Sequence, residues 1–524
     1  MTPEQLEALW QRGQQQEAEG SLDAARVTYM EILAGSPRQI MVQIGLSELE
    51  QRAGHYRAAR KNALEAAETI TLTKRWEGLA YVTANLLLFD ERELVRSLVL
   101  QSDWNDVRVM RQSAVLSQQL WLCGDEEAAL RMLDIAKRQG AVDHRLAYSR
   151  AIALQHLGRI AEATAAFEEC LRIEPGYALA HWSLAYHAPS DPPGARVARI
   201  RSAAGQDHDQ FERAMLHYAL YKELDDAGDH EAAWAELDKG AAIMRLTLGY
   251  SAHATAAEGA ANPWEADARP GAVSNAGYTP IFIVGMPRTG TTLLSRIVGA
   301  HPLVADAGEL NALEHSLAES LDRFVEFPLK PDDIARLRGV DSTAVADGYM
   351  RRTRGYYTGN ATHLIDKNPM NVFAAGVIAG AMPNARILCL VRGAMDACYS
   401  NLRQLFQNGT FAYSYDQRQL AEHYAGFQQL VEQCQARLPA NFLPVSYESL
   451  VEAPIATAKV VMEFCGLGFD PAYVDITRNL SPSATASSTQ IREPIHTQAL
   501  GEWRRYEDKL QPLQACLHDL GVAP

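Results

Sequence analysis

Three features of this 524-residue sequence predict a multidomain chain, with an all-α helical-repeat solenoid first and an α/β domain with a parallel central sheet second. A glycine-led segment recurs at regular spacing up to Gly228. An Ala-, Gly- and Pro-rich stretch then interrupts it from Ser251 to Thr279. After that break, an apolar run of strand length meets a glycine-containing loop and a helical pattern. Composition thus cuts the chain into a repeat domain (1–250), a linker (251–279) and an α/β domain (280–524). The length alone asks for more than one core.

The repeat signature is a glycine, three residues, then Ala or Glu followed by Ala. It begins at Gly20, Gly54, Gly124, Gly158 and Gly228. The intervals are 34, 70, 34 and 70, so each 70 hides one repeat whose signature is lost. Five places after each glycine stand Ala25, Ala59, Ala129, Ala163 and Ala233. Nine places after stand Tyr29, Ala63, Leu133, Phe167 and Leu237. Glycine ends one helix at low steric cost. The alanine lets the next helix approach closely, and the larger residue packs on the same face. Pro37 and Pro175, each seventeen places after a glycine, mark where a second helix stops. Such helix–turn–helix units bury their apolar stripes only by stacking. The period resembles that of tetratricopeptide repeats, best matched from Asp143 to His187. The linker lacks helical periodicity, and Trp264 is its candidate anchor to a neighbouring domain.

Charge and cysteine content narrow the classes. The formal net charge of −15 argues against nucleic-acid binding, which needs a basic surface. A local basic pocket for a small anion is still compatible, because fields are screened within about 8–10 Å. The seven cysteines are odd in number, dispersed and without a CxxC pair. That pattern predicts free thiols in a reducing compartment, hence a cytoplasmic protein, and no cysteine zinc site. The first residues show no signal-peptide pattern. No run reaches the roughly 18 apolar residues of a membrane span, and Phe373 to Met382 predicts a buried helix.

Pro280 to Val284 predicts a buried parallel strand, and Leu293 to Val298 a helix. Between them lies Gly285-Met286-Pro287-Arg288-Thr289-Gly290-Thr291-Thr292. A strand–loop–helix unit of this kind points backbone N–H groups and a helix N-terminus at a phosphate. Thr291 stands where a nucleoside-triphosphatase loop has its lysine, and Arg288 supplies a cation within the loop. The later strand Arg386 to Val391 ends in Arg392, where a magnesium-dependent nucleotidase would want an aspartate. The loop therefore suits a nucleotide, but not a metal-bound triphosphate.

IFIVGMPRTGTTLL followed by HPLVADAGEL resembles sulfotransferases that use 3′-phosphoadenosine 5′-phosphosulfate (PAPS). The resemblance runs from Tyr278 to the C-terminus. It is closest to the protein-tyrosine sulfotransferase type and to bacterial proteins that join tetratricopeptide repeats to a sulfotransferase domain. It implies in-line transfer of a sulfuryl group to a hydroxyl or amine, with adenosine 3′,5′-bisphosphate as product and no metal required.

The resemblance also assigns roles. Glu309 is the general base, a task that partial burial would favour. Asp306, Glu314 and His315 are weaker candidates, and His301 sits at a helix end. Arg288 and Lys367 of the Asp366-Lys367-Asn368-Pro369 run are the cations on the leaving side, and Ser487, beside Ser488, hydrogen-bonds the transferred group. Pro287, Arg288, Thr289, Gly290, Thr291 and Thr292 cradle the 5′ side. Arg392, Ser400 and Tyr447 grip the nucleotide, the arginine as a bidentate phosphate fork. Two departures stand out. Gln404 occupies a position where tyrosine-directed relatives carry arginine, with Arg403 one place off. Glu502 stands where related sequences have a base before Trp503. Arg504, Arg505 and Arg403 are the substitutes for a second clamp.

The repeat domain implies a protein partner or self-association. Such arrays present extended concave surfaces, which favours a peptide or protein acceptor over a glycan, lipid or metabolite. A small-molecule kinase or nucleotidase with an atypical loop, and a non-catalytic repeat scaffold, are the competing functions.

Overall fold

The structure is a computed structural model that describes residues 1–140, 142–249, 277–337, 339–357, 359–406, 409–479 and 493–523. Helices fill the chain from Pro3 to Leu248, in antiparallel pairs such as Ile40–Arg52 with Tyr56–Thr73 and Gln210–Asp226 with His230–Leu248. Gly20, Gly54, Gly124, Gly158 and Gly228 all adopt the left-handed conformation that a helix stop requires. The two hidden repeats also become visible. Asp90 (φ 56°) and Gly194 (φ 81°) turn the chain in the same way. The seven turns then stand 34, 36, 34, 34, 36 and 34 residues apart.

The residues after each turn pack as the spacing predicts. The five alanines and the five residues four places beyond them are buried. Val95 and Val99 take the same two places after Asp90. After Gly194 the first place is Arg199, which pairs with Glu168 at 2.6 Å instead of entering the core, so no small residue marks it. Asp125 and Asp229, each next to its turn glycine, cap the following helix by accepting from Ala128 and Ala232 N–H groups.

The chain forms two compact units. The first joins Met1–Ala153 with Asn311–Glu326 and Ala344–Gly355. The second joins Leu154–Leu310 with Phe327–Thr343 and Tyr356–Pro524. This cut by packing differs from the cut by composition at 250 and 280. Most of the composition-defined linker, residues 250–276 with Trp264, lies outside the described residues. Within the first unit, Arg57 donates to the carbonyls of Glu319 and Ser320, and Tyr56 meets His315 Nδ1 at 3.1 Å.

The second unit holds one sheet of five parallel strands: β1 (Thr279–Gly285), β2 (Val304–Asp306), β3 (His363–Asp366), β4 (Arg386–Val391) and β5 (Phe442–Ser446). Their order is β2-β3-β1-β4-β5, with Ile281 facing Ile365 on one side and Arg386 on the other. Ile281, Ile283, Leu388 and Leu390 pack against Leu294 and Ile297 of helix Thr291–Val298 and against Val461 and Met462 of helix Pro454–Cys465. Each such aliphatic side chain contributes about 1.5–3 kcal/mol. The Phe373 to Met382 stretch is the buried helical turn and helix the sequence predicts. None of the seven cysteines forms a disulfide. Among the described residues no helix is long and apolar enough to cross a membrane.

Candidate active site

Each of the five strands delivers a candidate residue just past its carboxyl end. Arg288 follows β1, Glu309 follows β2, Lys367 follows β3, Arg392 follows β4 and Tyr447 follows β5. Carboxyl ends beside a reversal of strand order are where open α/β sheets bind ligands. Here the chain leaves β1 toward β2 and β3, then crosses to β4 on its other side. A cavity of about 480 Å³ opens at that edge, within the usual size for a nucleotide-scale ligand.

The loop after β1 is built for close approach. Gly285 has φ 147°, and a Cβ there would stand 2.7 Å from the Leu390 carbonyl oxygen. Gly290 has φ 102°, and a Cβ there would stand 2.5 Å from the Tyr447 ring. Arg288 itself is left-handed at φ 65°, a strained state for a side-chain-bearing residue. Asn401 Nδ2 donates to the Pro287 carbonyl at 2.8 Å and fixes the loop from behind. Pro287, Arg288, Gly290, Thr291 and Thr292 line the cavity. Thr289 does not: it is buried, and its hydroxyl donates to the Met286 carbonyl at 2.7 Å. Its part is to hold the loop closed on itself.

Three guanidinium groups share the cavity: Arg288, Arg392 and Arg403. Burial and the charges of Arg403 and Arg392 pull Arg288 down to about 10, far below the usual arginine range. Arg392 is 5% exposed. Its Nη1 donates to the Arg288 carbonyl at 3.3 Å, its Nη2 to the Ala499 carbonyl, and its plane lies 4.6 Å over the Tyr447 ring. Its Nε is buried without a partner among the described residues. Clustered like charges and an orphaned donor both ask for a polyanion. Ser400, two turns along helix Ala394–Leu402, lines the same wall as the sequence spacing predicts.

Glu309 lies at the cavity with its side chain 56% exposed, so the burial expected of it is absent. It is instead oriented by Lys367, whose Nζ donates to Glu309 Oε1. Lys367 is 3% exposed, and its backbone N–H is fixed to the Gly308 carbonyl at 2.8 Å. Asn368, in the next position, donates to the Leu310 carbonyl at 2.9 Å and lines the cavity.

The weaker candidates go elsewhere. Asp306 accepts from Ser295 Oγ at 2.7 Å and from the Gly308 N–H. Glu314 and His315 belong to the other compact unit. Burial, then the charges of Arg352, Arg92 and Arg60, pushes His315 down to about 3. His301 sits past the end of helix Thr291–Val298, as expected.

Of the three arginines named for the second clamp, only Arg403 lines the cavity. Arg504 is exposed, does not line the cavity and lies against Trp503. Arg505 binds Asp225 at 3.3 Å. Arg403 lines the cavity and pairs with Glu502 at 2.5 Å, so the two departures from the family pattern meet each other in space. Gln404 is buried and bonded to the Leu405 carbonyl. Ser487 and Ser488 lie outside the described residues.

Two cavity features carried no sequence signal, the apolar pair Phe406 and Phe411 with ring centroids 4.5 Å apart and His496; Asn401, behind the loop, carried none either. Only fold-level contacts bring them to the loop. Among the described residues, no group of three or more His, Cys, Asp or Glu side chains is placed to hold a metal ion.

Residues 280–471 match the model of the Sulfotransferase family. This stretch is a sulfotransferase-family domain. The matched stretch contains the five strands except Thr279, and 17 of the 25 residues that line the cavity; Ile476 and the lining residues from Glu493 to Glu502 lie beyond it. A 246-residue stretch of the chain is 29% identical to an uncharacterized protein of Aquifex aeolicus (strain VF5), covering 46% of this chain and 32% of that one. Protein-tyrosine sulfotransferase A of Caenorhabditis elegans is 27% identical over 230 residues, 43% of this chain and 60% of the relative. The chain thus spans less than two thirds of the length of either relative. The sulfotransferase domain from the Synechococcus PCC 7002 olefin synthase aligns with a TM-score of 0.32 at 20% identity, covering 44% of this chain and 88% of that one. Ahead of its sulfotransferase domain the chain carries a tetratricopeptide-like helical array.

Proposed function

We propose that the protein transfers a sulfuryl group from PAPS to a hydroxyl or amine acceptor. The observation that carries this is the meeting of Arg288, Arg392 and Arg403 in one cavity, behind a phosphate loop with threonine in the lysine position. The residues fit the donor: the glycine cradle admits a phosphate against backbone, and Arg392, whose Nη1 donates to the Arg288 carbonyl, lines the cavity beside it. The donor supplies a sulfur held by a good phosphate leaving group.

The chain's own residues do the rest. Arg288 and Lys367 offset negative charge on the phosphate oxygen as its bond to sulfur breaks. Glu309 takes the proton from the acceptor as the new bond to sulfur forms. Arg392 and Ser400 grip the 3′-phosphate, and Tyr447 packs beside the loop glycine. Ser487 completes the sulfuryl contacts by family resemblance. We assign the PAPS-dependent domain to 280–524 and the repeat domain to 1–250. We favour a peptide or protein acceptor, because one relative is named for protein tyrosine and the repeat array offers a recognition surface. Seven cysteines without a disulfide favour the cytoplasm.

Calorimetry with adenosine 3′,5′-bisphosphate tests the donor assignment. Binding without magnesium, and stronger than that of ATP with magnesium, is expected; binding only with magnesium overturns it. Labelled-sulfate transfer into fractionated lysate then identifies the acceptor class. Glu309→Gln should bind the bisphosphate normally yet lose transfer by a factor of about 10² or more. If His496→Gln loses transfer and Glu309→Gln does not, the base is His496.

A further inference from the structure

Helix Gln210–Asp226 of the repeat array buries ten of its 17 residues, most of them apolar. It nevertheless sends polar groups into its contacts. Tyr218, Tyr221 and Asp225 lie at i, i+3 and i+7, on one face. The Tyr218 hydroxyl donates to the Leu402 carbonyl at 3.0 Å. The Tyr221 and Tyr399 hydroxyls share a hydrogen bond of 2.9 Å. Asp225 accepts from the Tyr506 hydroxyl at 2.7 Å and from Arg505 Nη1 at 3.3 Å. On the neighbouring helix Ala178–His187, the Tyr186 hydroxyl donates to the Arg403 carbonyl at 3.1 Å.

Every partner belongs to one of two segments that line the cavity. Residues 394–403 carry Ser400 and Arg403, and residues 499–506 carry Ala499 and Glu502. The carbonyls of Leu402 and Arg403 end helix Ala394–Leu402 and have no partner within it. Tyr218 and Tyr186 therefore cap that helix from outside. Phenylalanine would fill the same volumes without a hydroxyl to desolvate. A buried hydroxyl is tolerated when it fixes a partner. Here the partners lead to one ion pair, Arg403 with Glu502, and to the Tyr399 ring over which the Arg403 guanidinium lies at 5.2 Å.

We infer that Tyr186, Tyr218, Tyr221 and Asp225 are positioning residues for the anion-binding wall. The last repeat helices aim Ser400 and Arg403 at the donor's 3′-phosphate, so the array sets donor affinity as well as any partner contact. The inference rests on the PAPS assignment above.

The test compares adenosine 3′,5′-bisphosphate with adenosine 5′-monophosphate by calorimetry on the full chain. Wild type should prefer the bisphosphate. In the triple variant Y186F/Y218F/Y221F, and separately in Asp225→Asn, that preference should fall about tenfold, the usual scale for partners one layer behind a binding site. Binding of the monophosphate should hold within about twofold, which a general loss of structure would not allow. Tyr81→Phe, an exposed repeat tyrosine outside this layer, should change neither. If the triple variant does not fold, Tyr221→Phe alone should lower the preference about threefold. Equal weakening of both nucleotides, or no change beside a clear loss in Arg403→Ala, overturns the inference and leaves the donor assignment standing. A wild type indifferent to the 3′-phosphate overturns both.

Discussion

Arg288 is asked to do two unfavourable things at once. It holds a left-handed backbone and keeps its charge beside two other guanidiniums. Neither helps the fold, and the anionic groups of the proposed donor would offset the cost. Arg288→Ala should reduce sulfuryl transfer by about 10²–10³, while the thermal midpoint stays level or rises; unchanged transfer would remove Arg288 from the mechanism. Gly290 makes the complementary case. An alanine there meets both a φ of 102° and the Tyr447 ring, so Gly290→Ala should lose about 1–3 kcal/mol in a denaturant titration, with weaker bisphosphate binding. At this scale the sequence was informative wherever a residue's role depends on near neighbours. Arg392 and Ser400 are eight apart on one turn and helix, and Lys367 directly follows a strand. Glu502 was not legible as a partner of Arg403, because the two stand 99 positions apart and are brought together only by the fold. The exposure of Glu309 was hidden for the same reason.

At the scale of elements, the repeat period was legible because glycine leaves a fixed mark at each turn. It failed where another residue served. Asp90 takes the left-handed turn at some steric cost and holds Arg92 at 2.7 Å in exchange. That choice places a carboxylate near Glu314 on helix Ala312–Leu321, within the same compact unit. Burial first, then Glu326 and Asp90, raises Glu314 from 4.5 to about 7. The sign follows from linkage. Between these values the folded state holds a proton that the unfolded state has released, so stability is complete below 4.5 and falls as pH rises through about 7. Denaturant midpoints taken at about pH 5 and about pH 7.5 should therefore drop for this unit, and Glu314→Gln should drop less. An equal drop in both proteins assigns the pH dependence to other groups.

At the scale of the whole molecule, a family match from 280 to 471 invites the expression of an isolated catalytic piece. The packing argues against it. Residues 311–326 find their partners at Tyr56 and Arg57 in the first compact unit, and the helix ending at Leu402 finds its caps at Tyr186 and Tyr218 in the second. A fragment of residues 280–524 leaves the carbonyls of Leu402 and Arg403 uncapped and strips the buried faces of Tyr399 and Tyr506. Exposed apolar surface of that kind favours association. The fragment should show no cooperative thermal transition, no bisphosphate binding and rapid proteolysis between residues 394 and 406. A fragment of residues 154–524 restores the tyrosine layer but leaves 311–326 without Tyr56 and Arg57. It should regain a cooperative transition at a lower midpoint than the full chain, with cleavage confined to the 311–326 and 344–355 segments. Full stability of the 280–524 fragment would mean that the repeat helices are appended to the sheet domain instead of being part of its core.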